Sequence, residues 1–226
     1  MRIFAACLGH EDLACGFESR ELIEILNQCF ESKDHENLEA AWDALENAGR
    51  HGFIQDLVPF TAMSMECLCN EDACHQIRVN AANLLSLFVL KRTDNLSMFT
   101  GEFFDRLFRV FIAHFDSNFL ADGILHFVFL SMKEPLLAKT AASTFLPAVS
   151  AEVASNYHSQ GVGSCLHFII KVSEHVSKDP ALKSLVKHED IFSEAVNGFL
   201  AEYRRKISMI YGGSTEYYSR AQWTST

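Results

Sequence analysis

Apolar positions recur along most of this chain with the period of a helix, and the densest case spans residues 76–90. Ile77, Ala81, Leu84, Leu85 and Phe88 fall at i, i+4, i+7, i+8 and i+11, which is one helical stripe. Val79, Ala82 and Val89 fill a second apolar face. The pattern therefore predicts a buried central helix covered by amphipathic neighbours. The small pair Ala81 and Ala82 leaves room for another backbone to approach.

Upstream, Leu22, Ile23, Ile25, Leu26 and Phe30 predict a helix capped by Ser19, with Glu21 and Glu24 near its positive end. Leu38, Ala41, Trp42, Leu45 and Ala48 make the next stripe, opposite a wet face of Glu36, Glu39, Asp43 and Glu46. Gly49 and Gly52 are expected to end it. A further helix is expected from Phe53 to about Cys69, with Pro59 in its first turns. Asn70, Glu71 and Asp72 then form a turn before the central helix, which ends at Lys91 and Arg92.

Downstream, Phe103, Phe104, Leu107, Phe108, Phe111 and Ile112 give a strong helical stripe. The run Ile124 to Leu130 has the residue types of a buried strand, but no partner strand is evident, so helix is the expectation. Glu134 and Pro135 are expected to open a helix through Leu136, Leu137, Ala141 and Phe145, which Pro147 stops or bends. A short polar helix over 151–157, a loop over 159–163 and a helix capped by Ser164 follow. Asp179 and Pro180 start another short helix. The last, over 189–211, carries Phe192, Val196, Phe199, Tyr203 and Ile207 in one stripe. The reading is all-α: a poorly determined segment 1–18, one helical domain 19–211 and a flexible tail 212–226.

Composition fits this. Of 226 residues only 4 are proline, while 19 are phenylalanine, which points to long helices with aromatic side chains between them. Seven cysteines, an odd number scattered through helical patterns, argue for reduced thiols and against a disulfide scaffold. The apolar run in the first residues is too short for a signal core, and no apolar run approaches the ~20 residues a membrane span needs. The expected compartment is the cytoplasm, with the nucleus as the alternative. The net charge of −10 is uneven: residues 1–75 hold 4 Lys and Arg against 15 Asp and Glu. Such a segment repels nucleic acid and anionic membrane surfaces and attracts a basic protein segment.

Two clusters are candidates for chemistry. Cys67, Cys69, Cys74 and His75 are four soft ligands within nine residues, the number a tetrahedral zinc needs. Their spacing departs from C-x-x-C, however, and Cys67 and Cys69 would point to different sides of a helix. The competing reading is thiols packed around an inter-helix turn. Gly161, Gly163, Ser164, Cys165 and His167 resemble a glycine-rich approach to a helix N-terminus, where an anion is cradled and a cysteine pKa falls. No strand precedes it, and a loop with a capping serine explains the same residues. His126 and His167, in apolar settings, are expected to be hydrogen-bonded core histidines. No H-E-x-x-H or G-x-S-x-G occurs, so nothing points to catalysis or to a cofactor.

Paired helices with short breaks raise the question of repeats. At a spacing of 40, Ala41 aligns with Ala81, Ala44 with Leu84, Leu45 with Leu85 and Ala48 with Phe88. A third copy, with Ala141, Thr144 and Phe145, is expected 60 residues further on. Residues 38–60 and 77–88 resemble armadillo/HEAT-like helical repeats. That resemblance implies an α-solenoid-like stack of helical hairpins which binds proteins along a helical surface and is not an enzyme. The alternative is a compact irregular helical bundle. The expected partner is a protein with a basic segment, met by Glu36, Glu39, Asp43 and Glu46. A subunit of a larger assembly, or a helical enzyme or metalloprotein using Cys67, Cys69, Cys74 and His75 or Cys165, is the rival.

Overall fold

Helices form where the apolar period runs. A computed structural model describes residues 2–10, 18–31, 35–114, 118–156, 162–176, 178–180, 183–184, 197–198, 201–202 and 205. Among the described residues there are nine α-helices and no strand. They are α1 (Arg2–Leu8), α2 (Ser19–Phe30), α3 (His35–Arg50), α4 (Thr61–Cys69) and α5 (His75–Leu90). There follow α6 (Gly101–Ala113), α7 (Asn118–Lys133), α8 (Ala138–Asn156) and α9 (Val162–Val176). Short 3-10 turns at Val58–Phe60 and Leu96–Met98 precede α4 and α6. The all-α expectation holds, and the central stretch 76–90 is α5, with ten of its sixteen residues buried.

Several boundaries differ from the sequence reading, each for a local reason. The segment taken as undetermined begins with α1, whose Ala5 and Leu8 are buried. Ser19 is inside α2; Glu18 precedes the helix and makes no side-chain cap bond. The expected helix from Phe53 starts only at Thr61. Gly52, at φ 109°, turns the chain out of α3, and Pro59 sits in the 3-10 turn, where its missing N–H is tolerated. Thr100 is a true cap, its hydroxyl accepting from the Phe103 N–H. Residues 134–137 form a turn, not the start of a helix. Pro147 does not end α8, which continues to Asn156 with Phe145, Leu146, Val149 and Val153 buried along it. One lost backbone bond is outweighed by that buried stripe. Ser164 is likewise helical, not a cap. Most of the helix expected over 189–211, and the tail 212–226, lie outside the described residues.

Contacts divide the chain into two compact units, Met1–Phe145 and Leu146–Thr226. In the first, α1 packs on α3, α3 on α5 and α5 on α7, so alternate helices are neighbours. Sequential helices pair as well: α2 with α3, α4 with α5, and α6 with α7. Contacts advance together along α3 and α5, from Glu39–Cys74 through Asp43–Asn80 to Glu46–Asn83. These two helices therefore run in the same direction. Gly49 lets them close up: a Cβ there would lie 3.2 Å from Leu84 Cδ1 and 3.3 Å from Leu87 Cδ1. On the other side of α5, Ala82 Cβ would be 3.4 Å from a Cβ at Gly123 of α7.

Burial repeats with the same step. Ala41, Ala81 and Ala121 are buried, as are Ala44, Leu84 and Ile124, then Leu45, Leu85 and Leu125, then Ala48, Phe88 and Val128. The step of 40 thus lands on α7. The copy expected at Ala141, Thr144 and Phe145 falls on α8, where Ala141 and Phe145 are buried. One step before α3, Ala5 and Leu8 are buried on α1. In the second unit, Cys165 and Phe168 of α9 hold the same register and are buried. Phenylalanines fill the space between helices as composition suggests. Phe127 of α7 touches the rings of Phe99, Phe103 and Phe104, and Phe145 meets Phe108 and Phe111.

Candidate functional site

The face of α3 that sequence reasoning singled out is built by a 3-4-3 spacing, which aligns Glu36, Glu39, Asp43 and Glu46. The structure brings them together on one edge of α3 and shows what each already holds. Glu36 is ion-paired with Arg2 of α1 at 3.4 Å. Glu39 is exposed and accepts from the Cys74 thiol at 3.2 Å. Asp43 is exposed and accepts from the Asn80 amide at 2.5 Å, while Gln76 orients that amide by donating to its oxygen at 2.9 Å. Glu46 is largely covered, its side chain 12% exposed; it pairs with Arg50 and accepts from Asn83 at 3.2 Å. Glu39 and Asp43 thus meet neutral donors and keep their charge uncompensated by those contacts. Glu36 and Glu46 are each matched by an arginine. The four are one face, but two carry its available charge.

The cysteine cluster does not converge. Cys67 and Cys69 are half-buried in the last turn of α4, and Cys74 is exposed at the start of α5, next to His75. Among the described residues no group of three or more His, Cys, Asp or Glu side chains has the geometry to hold a metal ion. Burial pushes the Cys67 thiol up to about 11 from its ordinary 9.0, and raises Cys69 as well. Desolvation is the leading cause in both, opposed by the nearby Arg78 and, for Cys69, by Arg106. Cys165, the thiol of the second candidate cluster, lies in the first turns of α9. Cys165 is buried, and desolvation, with Glu152 nearby, raises its pKa. It is a core residue of α9. His126 and His167 are exposed, not core histidines.

A pH dependence follows from the buried thiols. In the unfolded chain Cys67 ionises near 9.0, while in the folded chain it stays protonated to about 11. Between those values the folded state holds more protons, so stability is full below about 9 and falls as pH rises towards 11. The urea midpoint is expected to drop over that window, and Cys67→Ala is expected to flatten the slope. An equal slope in that variant would contradict the assignment.

One important residue was missed. Arg78 is 1% exposed, inside the first turns of α5. Its Nε donates to the Leu68 carbonyl near the end of α4 at 3.2 Å, and its Nη1 lies 2.8 Å from His114 Nε2, just past α6. Nη2 is buried without a hydrogen-bond partner. Desolvation pulls the guanidinium pKa below its ordinary value, opposed by Cys69, Cys67 and Glu71. A positive group at the carbonyl end of α4 also complements that helix dipole. A signal was present in the sequence: Arg78, Ala82, Leu85 and Val89 share one buried stripe. A second missed group joins the turns before α4 and α6. Asn95 donates to the Thr61 hydroxyl and accepts from that of Thr93. Two ion pairs link separate elements, Arg106 of α6 with Glu66 of α4 at 2.8 Å and Arg92 with Glu134, in the turns after α5 and α7, at 3.0 Å.

No protein-family model, curated protein or solved structure matches this chain. Among the described residues, no helix is long and apolar enough to cross a membrane.

Proposed function

We propose that this chain is a non-catalytic interaction module, a short armadillo/HEAT-like stack of helix pairs that binds a basic segment of a protein partner. The observation that carries the stack is the 40-residue recurrence of buried positions through α3, α5 and α7, with these alternate helices in contact. Each copy would be an inner helix followed by an outer one: α1–α2, α3–α4, α5–α6 and α7–α8. A row of like-facing helices presents equivalent exposed positions side by side, and such rows serve as extended binding surfaces. Glu39, Val79 and Phe119 stand at equivalent positions, Glu39 and Phe119 exposed and Val79 half-buried. The row therefore grades from acidic on α3 to apolar on α7.

The partner reading rests on Glu39 and Asp43, with Glu36 and Glu46 as a paired margin. A lysine- or arginine-bearing segment meeting that edge would be drawn in by charge, chiefly through its association rate. Glu39→Lys with Asp43→Lys is expected to weaken partner capture about tenfold, and to remove most of its salt dependence. The same pair of changes at Glu36 and Glu46 should do less. The test is cross-linked capture from native cells with wild-type and variant chains, read by mass spectrometry. A partner set retained equally by the Glu39/Asp43 variant, at low and high salt, would contradict the electrostatic role.

A further inference from the structure

The edge made by the turns after α5 and α7 has a different character from the acidic face. Most large apolar side chains in the first unit are buried, yet Leu90 is 58% exposed, Met98 39% and Leu136 76%. Leu90 ends α5, Met98 lies in the 3-10 turn before α6, and Leu136 lies in the turn before α8. The two turns are adjacent, because Arg92 of one is ion-paired with Glu134 of the other at 3.0 Å. Lys91, Lys133 and Lys139 are exposed around them, Lys133 with its ammonium 5.4 Å from the Phe129 ring centre. Of the carboxylates there, Glu134 is buried and held by Arg92, and Asp94 is exposed. The corresponding turn after α3 exposes Gln55 and Asp56 instead, and the other exposed large apolar side chain among the described residues, Phe119, lies at the start of α7.

We infer that this edge docks on an anionic lipid surface. Three exposed side chains, one ending α5 and two in turns, offer no single helix face to a partner helix. They are well shaped to enter the soft boundary between headgroups and acyl chains. The flanking lysines carry the matching charge, and their long stems let the ammonium reach phosphates while the leucines go deeper. Neither leucine nor lysine suffices alone: the apolar area is small, and so is the local net charge. Together they make weak, reversible, charge-selective attachment. The edge is separate from the α3 carboxylates, so a partner held there would be carried to the lipid surface.

The full-length chain should co-float with vesicles of phosphatidylcholine and phosphatidylserine, and not with phosphatidylcholine alone. Leu90→Ser with Leu136→Ser is expected to reduce binding about tenfold. Lys91→Glu, Lys133→Glu and Lys139→Glu together are expected to reduce it by more than about fivefold per residue. Raised salt should release the wild type. Because all five side chains are exposed, thermal melting of the variants should match that of the wild type. Equal flotation with both vesicle types, no flotation, or flotation unchanged in both variants would overturn the inference. So would binding of an acidic peptide at these residues by a chain that ignores vesicles.

Discussion

Phe127→Ala is expected to lower the unfolding free energy by about 3–5 kcal/mol, the largest effect of any single truncation considered for this chain. Phe127 is wholly buried on α7, with the rings of Phe99, Phe103 and Phe104 at centroid distances of 5.3–5.9 Å. Two of those contacts are edge-on and one is stacked, the geometries that add to area burial. Truncation removes the ring and leaves a cavity between α6 and α7 that three other aromatic groups cannot readily close. Phe119, on the same helix and 81% exposed, is the control, and Phe119→Ala is expected to change stability by less than about 0.5 kcal/mol. Urea unfolding followed by circular dichroism measures both. Similar midpoints for the two variants would contradict the placement of the core.

Arg78→Ala is expected to cost about 2–4 kcal/mol, for a different reason. The guanidinium joins the end of α4 to His114 past the end of α6, so removing it leaves the Leu68 carbonyl without that donor. It also empties the space of a long side chain. Arg78→Met keeps the aliphatic stem and discards the buried, unpartnered Nη2, so it should be the milder change. The order is the test: wild type most stable, Met next, Ala least. An alanine variant within about 1 kcal/mol of wild type would show that this buried charge joins nothing of consequence.

How much of this was legible depended on the kind of signal. The helices of α5, α6 and α7 follow from apolar period alone, including Ile124 to Leu130, whose residue types also suit a strand. The helix α1 was not legible because seven residues give barely two turns of pattern. Pro147 does not stop α8 because its backbone penalty is local, while the apolar stripe that overrides it is spread along the helix. The 40-residue step was visible at α3 and α5, and the next copy was placed at Ala141, although Ala121, one step from Ala81, is buried as well. Asp122 and Gly123, directly after Ala121, break the apolar run there, and the stripe around Ala141 is cleaner. The α3 carboxylates were found from their spacing. What they hold was not, because Asn80 and Asn83 lie 37 residues on, and only packing brings them near. Buried Arg78 shows the limit in reverse: its stripe was readable, but a charge on it looked like an exception.

In the proposed repeat, α3, α5 and α7 stand in a row as successive copies of a 40-residue unit. Nitroxide labels at Asp43 and Asp122, introduced through a genetically encoded amino acid to spare the cysteines, measure it directly by pulsed electron spin resonance. Neighbouring helices pack about 8–10 Å apart, so a row puts α3 and α7 about 20 Å apart, with a single narrow distance distribution. An irregular bundle that folds α7 back beside α3 would give one interaxial spacing, near 10 Å, and that result would contradict the repeat.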